Sequence, residues 1–403
     1  MTSPSRPRLP AWLLLVGVMT ALGPVTIDMY LPGFVSIERE FGTRGVEGTM
    51  AAFIAGLAVG QLFYGPISDR FGRKPPLYFG YVIYVLGSVG CAIATNMAVL
   101  TVMRVVQALG GCAGLVIGRA IVRDRCEPHE AARAFTTLTM IVALGPVMAP
   151  AVGGVVVSHF GWRATFVVQA VFGLFVMFLM HHVLRESHDV RNAQAATIRH
   201  VLGNYATLIR DRQFIGYSLL MGFSMASMFC YVTGAPLVIP ANYGLTPQQL
   251  GSLIGMNGFA FLTASVLNMR ALKTVGPAQL LARYIWGAPL LGATLLVSSL
   301  FLQLPLWAVV GLQLPFFVCT GRVGPNVSAL ALAPHGRHAG TASALLGATQ
   351  SALTTVGGLA VAIFNDGTVS TLAAIMATGA SLALLCYLGL LAGVSRSDAK
   401  ETS

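Results

Sequence analysis

The residue of this sequence most suited to chemistry is Asp28, in the segment TIDMYLPG over residues 26–33. It is the first acidic residue of the chain and lies near the end of an apolar run that starts at Ala11. A carboxylate inside a bilayer costs a few kcal/mol or more, and ionisable residues there usually serve function. Because burial disfavours the charged form, such an acid is suited to taking up and releasing a proton. A structural ion pair is the alternative interpretation.

A candidate partner for this acid is Arg104, in the apolar segment LTVMRVVQALGGCAG over residues 100–114. A helix rises about 1.5 Å per residue, so the predicted span ends place both charges roughly 8–10 Å below the same surface. An arginine close to Asp28 would favour its ionised form, and separation would favour proton capture. We therefore expect the two residues to act together in proton coupling.

The segment GPISDRFGRKPPL over residues 65–77 combines two glycines with a charge cluster. Gly65 allows another helix to approach closely, and Gly72 permits a tight turn. Asp69 suits a helix N-terminus, where the helix dipole favours negative charge. The basic residues of this loop are Arg70, Arg73 and Lys74. The loop is either a functional gate or a set of charges that fixes only the topology.

The segment LGPVMAPAVGG over residues 144–154 predicts a bent helix with a smooth surface. Its glycines allow close helix packing, and its prolines remove backbone donors and bend the helix. The residues concerned are Gly145, Pro146, Pro150, Gly153 and Gly154. Such a helix between two bundles would allow them to tilt against each other or would limit leak through the protein. The alternative is a helix that is simply kinked and well packed.

Aromatic and methionine side chains are frequent in the seventh apolar run and suggest a cavity that accepts varied ligands, because Met repacks easily. Core-facing or lipid-facing positions are the alternative. We predict five cavity residues: Tyr30, Gln107, Phe229, Tyr231 and Asn257. Arg322 lies in the tenth run without an acidic partner, so it either points toward the cytoplasm or favours an anionic substrate group.

These residues are positioned by apolar segments of membrane-spanning length. The 403 residues are 55% hydrophobic and only 10% charged, whereas soluble proteins carry about 25% charge. We predict twelve transmembrane helices and interpret the first as retained rather than as a cleaved signal peptide. The predicted spans are 11–34, 48–67, 76–95, 98–119, 134–157, 163–184, 213–239, 248–268, 279–300, 305–329, 339–363 and 368–392.

One long join divides the spans into six plus six. We predict an N-terminal six-helix bundle over 1–184, a cytoplasmic linker over 185–212 and a C-terminal six-helix bundle over 213–403. The linker is either a simple tether or an amphipathic helix on the membrane surface. The apolar face of that helix would comprise Ile198, Val201, Leu202, Tyr205, Leu208 and Ile209.

The distribution of basic residues predicts the orientation. With both termini in the cytoplasm, cytoplasmic segments hold twenty of the 25 Lys and Arg residues, and opposite loops hold three. This bias is the positive-inside pattern of membrane proteins, so the net charge of +11 gives no reason to expect nucleic-acid binding. The six cysteines form no CxxC pair and no His-flanked cluster, so we expect no metal site, and we expect no cofactor.

Several of these motifs occur in the order typical of one family. The 65–77 loop resembles the signature loop of the major facilitator superfamily, and RVVQALGG resembles its fourth-helix motif, with Ala108 where glycine is usual. LGPVMAPAVGG resembles the Gly-Pro antiporter motif, and IDMYLPG resembles the first-helix motif of twelve-span drug:proton antiporters. HFGWRATF (159–166) and AGTASALLG (339–347) resemble the bicyclomycin/chloramphenicol-resistance branch.

The resemblance implies an all-α membrane protein of two pseudo-symmetric six-helix bundles in the bacterial inner membrane. It implies a monomer that exports small amphiphilic compounds in exchange for protons, with Asp69 docking near Gly340 to Ser343 of the eleventh helix. The alternatives are a proton-coupled symporter and an exporter of one metabolite. An enzyme is not expected, because no span carries clustered His, Asp or Ser, and a receptor is not expected, because no loop is long enough to sense ligands.

Overall fold

The computed structural model describes residues 10–126, 128–187, 205–272 and 274–391, and all regular structure within them is helical. Twelve helices are long and apolar enough to span a bilayer, which confirms the predicted number of spans. We number them α1 (Ala11–Phe41), α2 (Glu47–Phe71), α3 (Lys74–Ala92), α4 (Met97–Arg125), α5 (Pro128–Phe160), α6 (Trp162–Val183), α7 (Arg212–Tyr243), α8 (Pro247–Ala271), α9 (Pro277–Phe301), α10 (Leu306–Leu332), α11 (Ala339–Phe364) and α12 (Val369–Cys386).

Two of these helices are interrupted. The α1 span consists of Ala11–Asp28, a 3-10 turn at Leu31–Gly33 and a second α-helix at Phe34–Phe41. Pro32 cannot donate a backbone hydrogen bond, which is consistent with the break in this stretch. The first segment therefore ends at Asp28, and the span continues seven residues beyond its predicted end at Phe34. The α9 span is likewise divided, into Pro277–Tyr284 and Gly287–Phe301.

The helices alternate in direction, so their ends form two faces. We call the end that carries Gly72 the basic face and the end that carries Gly42 and Gly161 the opposite face. At the opposite face, the Trp162 indole donates a 2.7 Å hydrogen bond to Glu40. The loops that join successive helices are short, as predicted, except for the segment between α6 and α7.

Helices α1–α6 and α7–α12 form two halves, which pack against each other mainly through α5 with α8 and α2 with α11. The α5–α8 contact brings backbones together: a Cβ on Gly251 would lie 2.2 Å from the Pro150 carbonyl oxygen. A Cβ on Gly154 would lie 2.7 Å from the Pro247 carbonyl oxygen. Because these positions lie toward the opposite face, the two halves are closed against each other there.

Of the linker between the halves, residues 185–187 and 205–212 are described. Residues 205–210 are helical, with Leu208 buried and Ile209 57% exposed. The predicted apolar positions Ile198, Val201 and Leu202 lie outside the described residues. The amphipathic helix on the membrane surface stays a prediction.

Candidate functional site

A cavity of about 200 Å³ lies between the two halves. Its first-half wall comes from α1 and α5, and its second-half wall comes from α7, α8 and α10. Most of the lining is apolar and rich in aromatic and methionine side chains. The lining residues are Pro24, Ile27, Asp28, Pro146, Met225, Met228, Phe229, Tyr231, Val232, Ile254, Asn257, Gly258, Phe261 and Phe317.

Asp28 is the acidic residue of this lining. It is the last residue of the first α1 segment, and only 6% of it is exposed. Among the described residues, no hydrogen bond or ion pair engages its carboxyl group. An unpaired carboxyl group on an apolar cavity wall is chemically available to a proton or to a ligand in the cavity.

Arg104 is fully buried in the first half, next to the break in α1. Its Nη1 donates to the Gln107 Oε1 at 2.7 Å and to the Thr26 carbonyl oxygen at 3.4 Å. The guanidinium carbon lies 4.2 Å from the ring centre of Tyr30 and 4.1 Å from that of Phe53. The end of the first α1 segment leaves carbonyl groups without helical partners, and the helix dipole favours a cation there. Arg104 therefore supports this helix end.

Asp28 and Arg104 both lie at the end of the first α1 segment. Both are found at the same level, since Arg104 reaches the carbonyl group two residues before Asp28. The described residues nevertheless contain no ion pair between them, because the arginine is held by its amide partner, the helix end and two rings. Their coupling in another state of the protein stays a prediction.

A chain of buried polar groups extends from Arg104 through the first half. Gln107 donates 2.8 Å hydrogen bonds to Ser88 and to the Oε1 of Gln169. Close by, the hydroxyl groups of Thr26 and Tyr84 lie 2.7 Å apart. Buried networks of this kind rigidify their surroundings when their members are paired. Through Thr26, the network connects to the helix end that carries Asp28.

The five predicted cavity residues are not all on the cavity wall. Those that line it are Phe229, Tyr231 and Asn257. Tyr30 packs on Arg104 instead, and its hydroxyl group lies 3.2 Å from that of Thr49. Gln107 lies in the buried network. Neither residue lines the cavity, because the Tyr30 ring packs on the buried Arg104 and the Gln107 amide oxygen accepts its hydrogen bond.

Arg104→Leu is expected to lower the stability of the protein by about 1–3 kcal/mol, since the Gln107 amide loses a charged donor and the Thr26 carbonyl loses its capping group. Arg104→Lys should recover only part of the loss, because lysine lacks the planar group that fits between two rings. Thermal unfolding of purified protein in detergent measures both variants. Equal stability of Arg104→Leu and the unmodified protein would contradict this role.

The α5 motif contacts both halves. A Cβ on Gly153 would lie 1.9 Å from the Met29 carbonyl oxygen, just after Asp28, and one on Gly145 would lie 3.1 Å from Pro24. On its other side, Gly154 approaches the start of α8, and Pro146 lines the cavity. The small residues of this motif therefore allow α5 to approach α1 and α8 at backbone distance.

The 65–77 loop is held by a charge cluster on the basic face. Arg73 is buried and forms ion pairs with Asp69 and, at 2.7 Å, with Asp124. Although burial opposes its charge, the two carboxylates hold the Arg73 pKa above its usual value. Glu186 accepts hydrogen bonds from the backbone N–H groups of Arg73 and Lys74, at the start of α3.

Three other residues of this loop differ in their surroundings. Gly72 adopts a φ of 86°, a backbone conformation that favours glycine, at the turn between α2 and α3. No described residue lies within 4 Å of a Cβ placed on Gly65, so the close helix approach predicted there is not found among them. Arg70 lies over the Phe71 ring at 5.3 Å.

A contact that the sequence analysis missed joins α2 and α11 at the opposite face. Glu47 is 3% exposed, and its Oε1 accepts a 2.7 Å hydrogen bond from the Asn365 side chain. The pair crosses from the first half to the second. The sequence shows each residue at a span end, and no sequence signal connects them. This hydrogen bond must break if the halves separate on that face.

Arg322 on α10 does not line the cavity. Its guanidinium carbon lies 4.5 Å from the Tyr284 ring centre, and its buried Nε has no hydrogen-bond partner. Neither interpretation from the sequence, an anionic substrate contact or a side chain directed to the cytoplasm, is tested by this geometry.

Two halves of six membrane-spanning helices around a central cavity define a membrane transporter rather than an enzyme. The chain belongs to the Major Facilitator Superfamily, whose family profile matches residues 13–358. Twelve apolar helices and membership of this family make it a multi-pass inner-membrane protein.

The relatives named here cover nearly the whole chain. An uncharacterised MFS-type transporter of Bacillus subtilis is 33% identical and aligns over 94% of this chain and 95% of its own length. A bicyclomycin resistance protein homologue of Haemophilus influenzae is 30% identical and aligns over 93% of this chain and 95% of its own length. Multidrug resistance protein D of Escherichia coli is 26% identical and aligns over 94% of this chain and 95% of its own length.

Solved structures show the same fold. A D-xylose-proton symporter superposes with a TM-score of 0.76 over 94% of this chain and 97% of that one, at 16% identity. A bacterial homologue of the lysosomal transporter Spinster, in an inward-facing and unoccupied conformation, also has a TM-score of 0.76, over 94% and 97%, at 14% identity.

Proposed function

We propose that this protein exports small amphiphilic compounds in exchange for protons, by alternating access of the central cavity to the two faces. The observation that carries the proposal is the position of Asp28 on the wall of an apolar cavity between the halves, where its carboxyl group has no partner among the described residues. An apolar and aromatic lining suits an amphiphile, and the acid offers a single group that a proton and a substrate would compete for. The relatives named for bicyclomycin and multidrug resistance support this substrate class.

We further propose that the basic face and both termini lie in the cytoplasm and that the protein acts as a monomer. The bias of twenty basic residues in these segments against three in the opposite loops supports the orientation. The halves meet at the opposite face through α5 with α8 and through Glu47 with Asn365. The cavity is then closed toward the outside in this structure, and export requires those contacts to open.

The proposal is tested in everted membrane vesicles with an acidified interior and a fluorescent pH reporter. Adding an exported compound, with ethidium as one member of the panel, should make the interior less acidic, because protons leave as the compound enters. A symporter would instead carry protons inward with the compound and acidify the interior further. No pH response to any amphiphile, in vesicles shown to contain the protein, would contradict proton-coupled export.

Asp69→Asn is expected to shift the protein toward the state open on the basic face, since Asp69 is proposed to dock near the start of α11 when that face closes. The Asp69 side chain is 48% exposed in this structure, as expected when it is not docked. Labelling of cysteines placed on the two faces measures the shift. Asp124→Asn removes a second partner of Arg73 within the first half and serves as the control, with no shift expected. Unchanged labelling in Asp69→Asn would leave the loop with a topological role only.

A further inference from the structure

Three buried polar side chains on or behind the second-half wall of the cavity form no hydrogen bond with the described residues. Tyr231 on α7, Asn257 on α8 and Gln313 on α10 are each 1% exposed. The Tyr231 hydroxyl group lies near both amides, but its geometry to each falls short of a hydrogen bond. None of the five polar atoms of these side chains completes a hydrogen bond with the described residues. Three helices therefore direct unused donors and acceptors to one place.

Such a cluster is energetically unfavourable unless something pairs with it. Each buried and unpaired polar group costs about 1–3 kcal/mol, and native proteins contain few of them. By contrast, the Gln107 amide in the first half is paired at both ends, since it donates to Ser88 and Gln169 and accepts from Arg104. Because Tyr231 and Asn257 also line the cavity, a molecule in the cavity is positioned to supply the missing partners.

The chemistry of the three side chains defines the group that would pair with them. Two amides and a hydroxyl group offer both donors and acceptors, which complement a ligand group that both donates and accepts. The second-half part of the lining contains no charged side chain, whereas Asp28 lies on the first-half wall. The group is therefore uncharged, and the remaining lining suits an apolar and aromatic body.

We infer that Tyr231, Asn257 and Gln313 form a substrate-binding subsite that recognises an uncharged amide-like group on an aromatic or aliphatic body. The inference rests on the proposed export of amphiphiles and specifies which amphiphiles bind well. Sites that hydrogen-bond a substrate group reject analogues that lack it, because their own polar groups then stay unpaired.

Two probes of nearly equal shape test the inference: 4-phenylbutyramide and 5-phenylpentan-2-one, which has a methyl group where the amide has its NH2. Equilibrium dialysis against purified protein in detergent measures the dissociation constant of each. The unmodified protein should bind the amide about five- to tenfold more tightly than the ketone, the value of one net hydrogen bond. In Tyr231→Phe, Asn257→Leu and Gln313→Leu, this ratio should fall toward one while ketone binding changes little.

Ser218→Ala is the matched control, because Ser218 is a buried and unpaired hydroxyl group on α7 that does not line the cavity. It should keep the preference for the amide. The three leucine and phenylalanine variants should keep or raise the unfolding temperature, since they remove only unpaired polar atoms. A variant that lost stability and both probes together would be acting on the structure and not on recognition.

Equal binding of the two probes by the unmodified protein, as expected if ordered water satisfied the cluster, would overturn the subsite. So would the absence of any amide binding. These measurements need no proton gradient. A preference for the amide without proton-coupled transport would overturn the exchange mechanism and keep the subsite. Proton-coupled transport without a preference for the amide would overturn the subsite and keep the exchange mechanism.

Discussion

Asp28→Asn is expected to reduce proton-driven efflux to background while the protein still folds and inserts in the membrane. Asparagine keeps the size and polarity of the side chain but cannot exchange a proton. The carboxyl group of Asp28 has no hydrogen-bond or ion-pair partner among the described residues, so the substitution breaks no internal contact there. Downhill movement of substrate should survive, because the cavity and the helix contacts that open and close it are unchanged.

Uphill and downhill transport by this variant are compared in the same vesicles, with and without a proton gradient. Asp28→Glu is the control that keeps a carboxyl group and should retain coupling at a reduced rate, since the longer side chain displaces the acid by about one methylene group. If Asp28→Asn concentrated substrate against its gradient at the rate of the unmodified protein, Asp28 would not be the proton carrier.

Gly251→Leu is expected to hold the halves apart at the opposite face and to stop the transport cycle. A Cβ at this position would lie 2.2 Å from the Pro150 carbonyl oxygen, and backbone atoms cannot yield as a flexible side chain does. Inserting bulk into a close contact costs about 1–3 kcal/mol or more. A penalty of that size, applied only to the state closed on this face, changes the ratio of the two states about 5- to 150-fold.

Spin labels at Thr43 and Ala241, both exposed on the opposite face and in different halves, report the separation. Gly251→Leu should move the distance distribution to longer values. Gly48→Leu is the matched control, because no described residue lies within 4 Å of a Cβ at that position of α2. Identical distributions in Gly251→Leu and the unmodified protein would show that the α5–α8 contact does not close this face.

The sequence was sufficient for the twelve spans, because long apolar runs that must satisfy their own backbone hydrogen bonds have few alternatives to helix. It was also sufficient to find Asp28, since a lone acid in such a run is conspicuous. The relation of Asp28 to Arg104 needed the structure. Span counting gives the depth of a residue but not the direction of its side chain, and Arg104 turns toward the α1 end and two rings.

Contacts between distant helices were the least predictable part. Gln313 was missed although it is a polar residue within an apolar run, because its importance depends on Tyr231 and Asn257 lying beside it. Gly65 was expected at a close helix contact, and the structure has open space there, whereas Gly251 makes such a contact without belonging to any motif. Glycine marks where close approach is allowed, and only packing decides where it occurs.

The most direct test of the central claim is proton release by the purified protein on substrate addition, followed with a pH dye in weakly buffered detergent solution. If Asp28 is the group for which proton and substrate compete, adding 4-phenylbutyramide or ethidium should release protons in proportion to bound ligand, and Asp28→Asn should release none while still binding it. The same proton release from Asp28→Asn as from the unmodified protein, at equal ligand occupancy, would contradict the account.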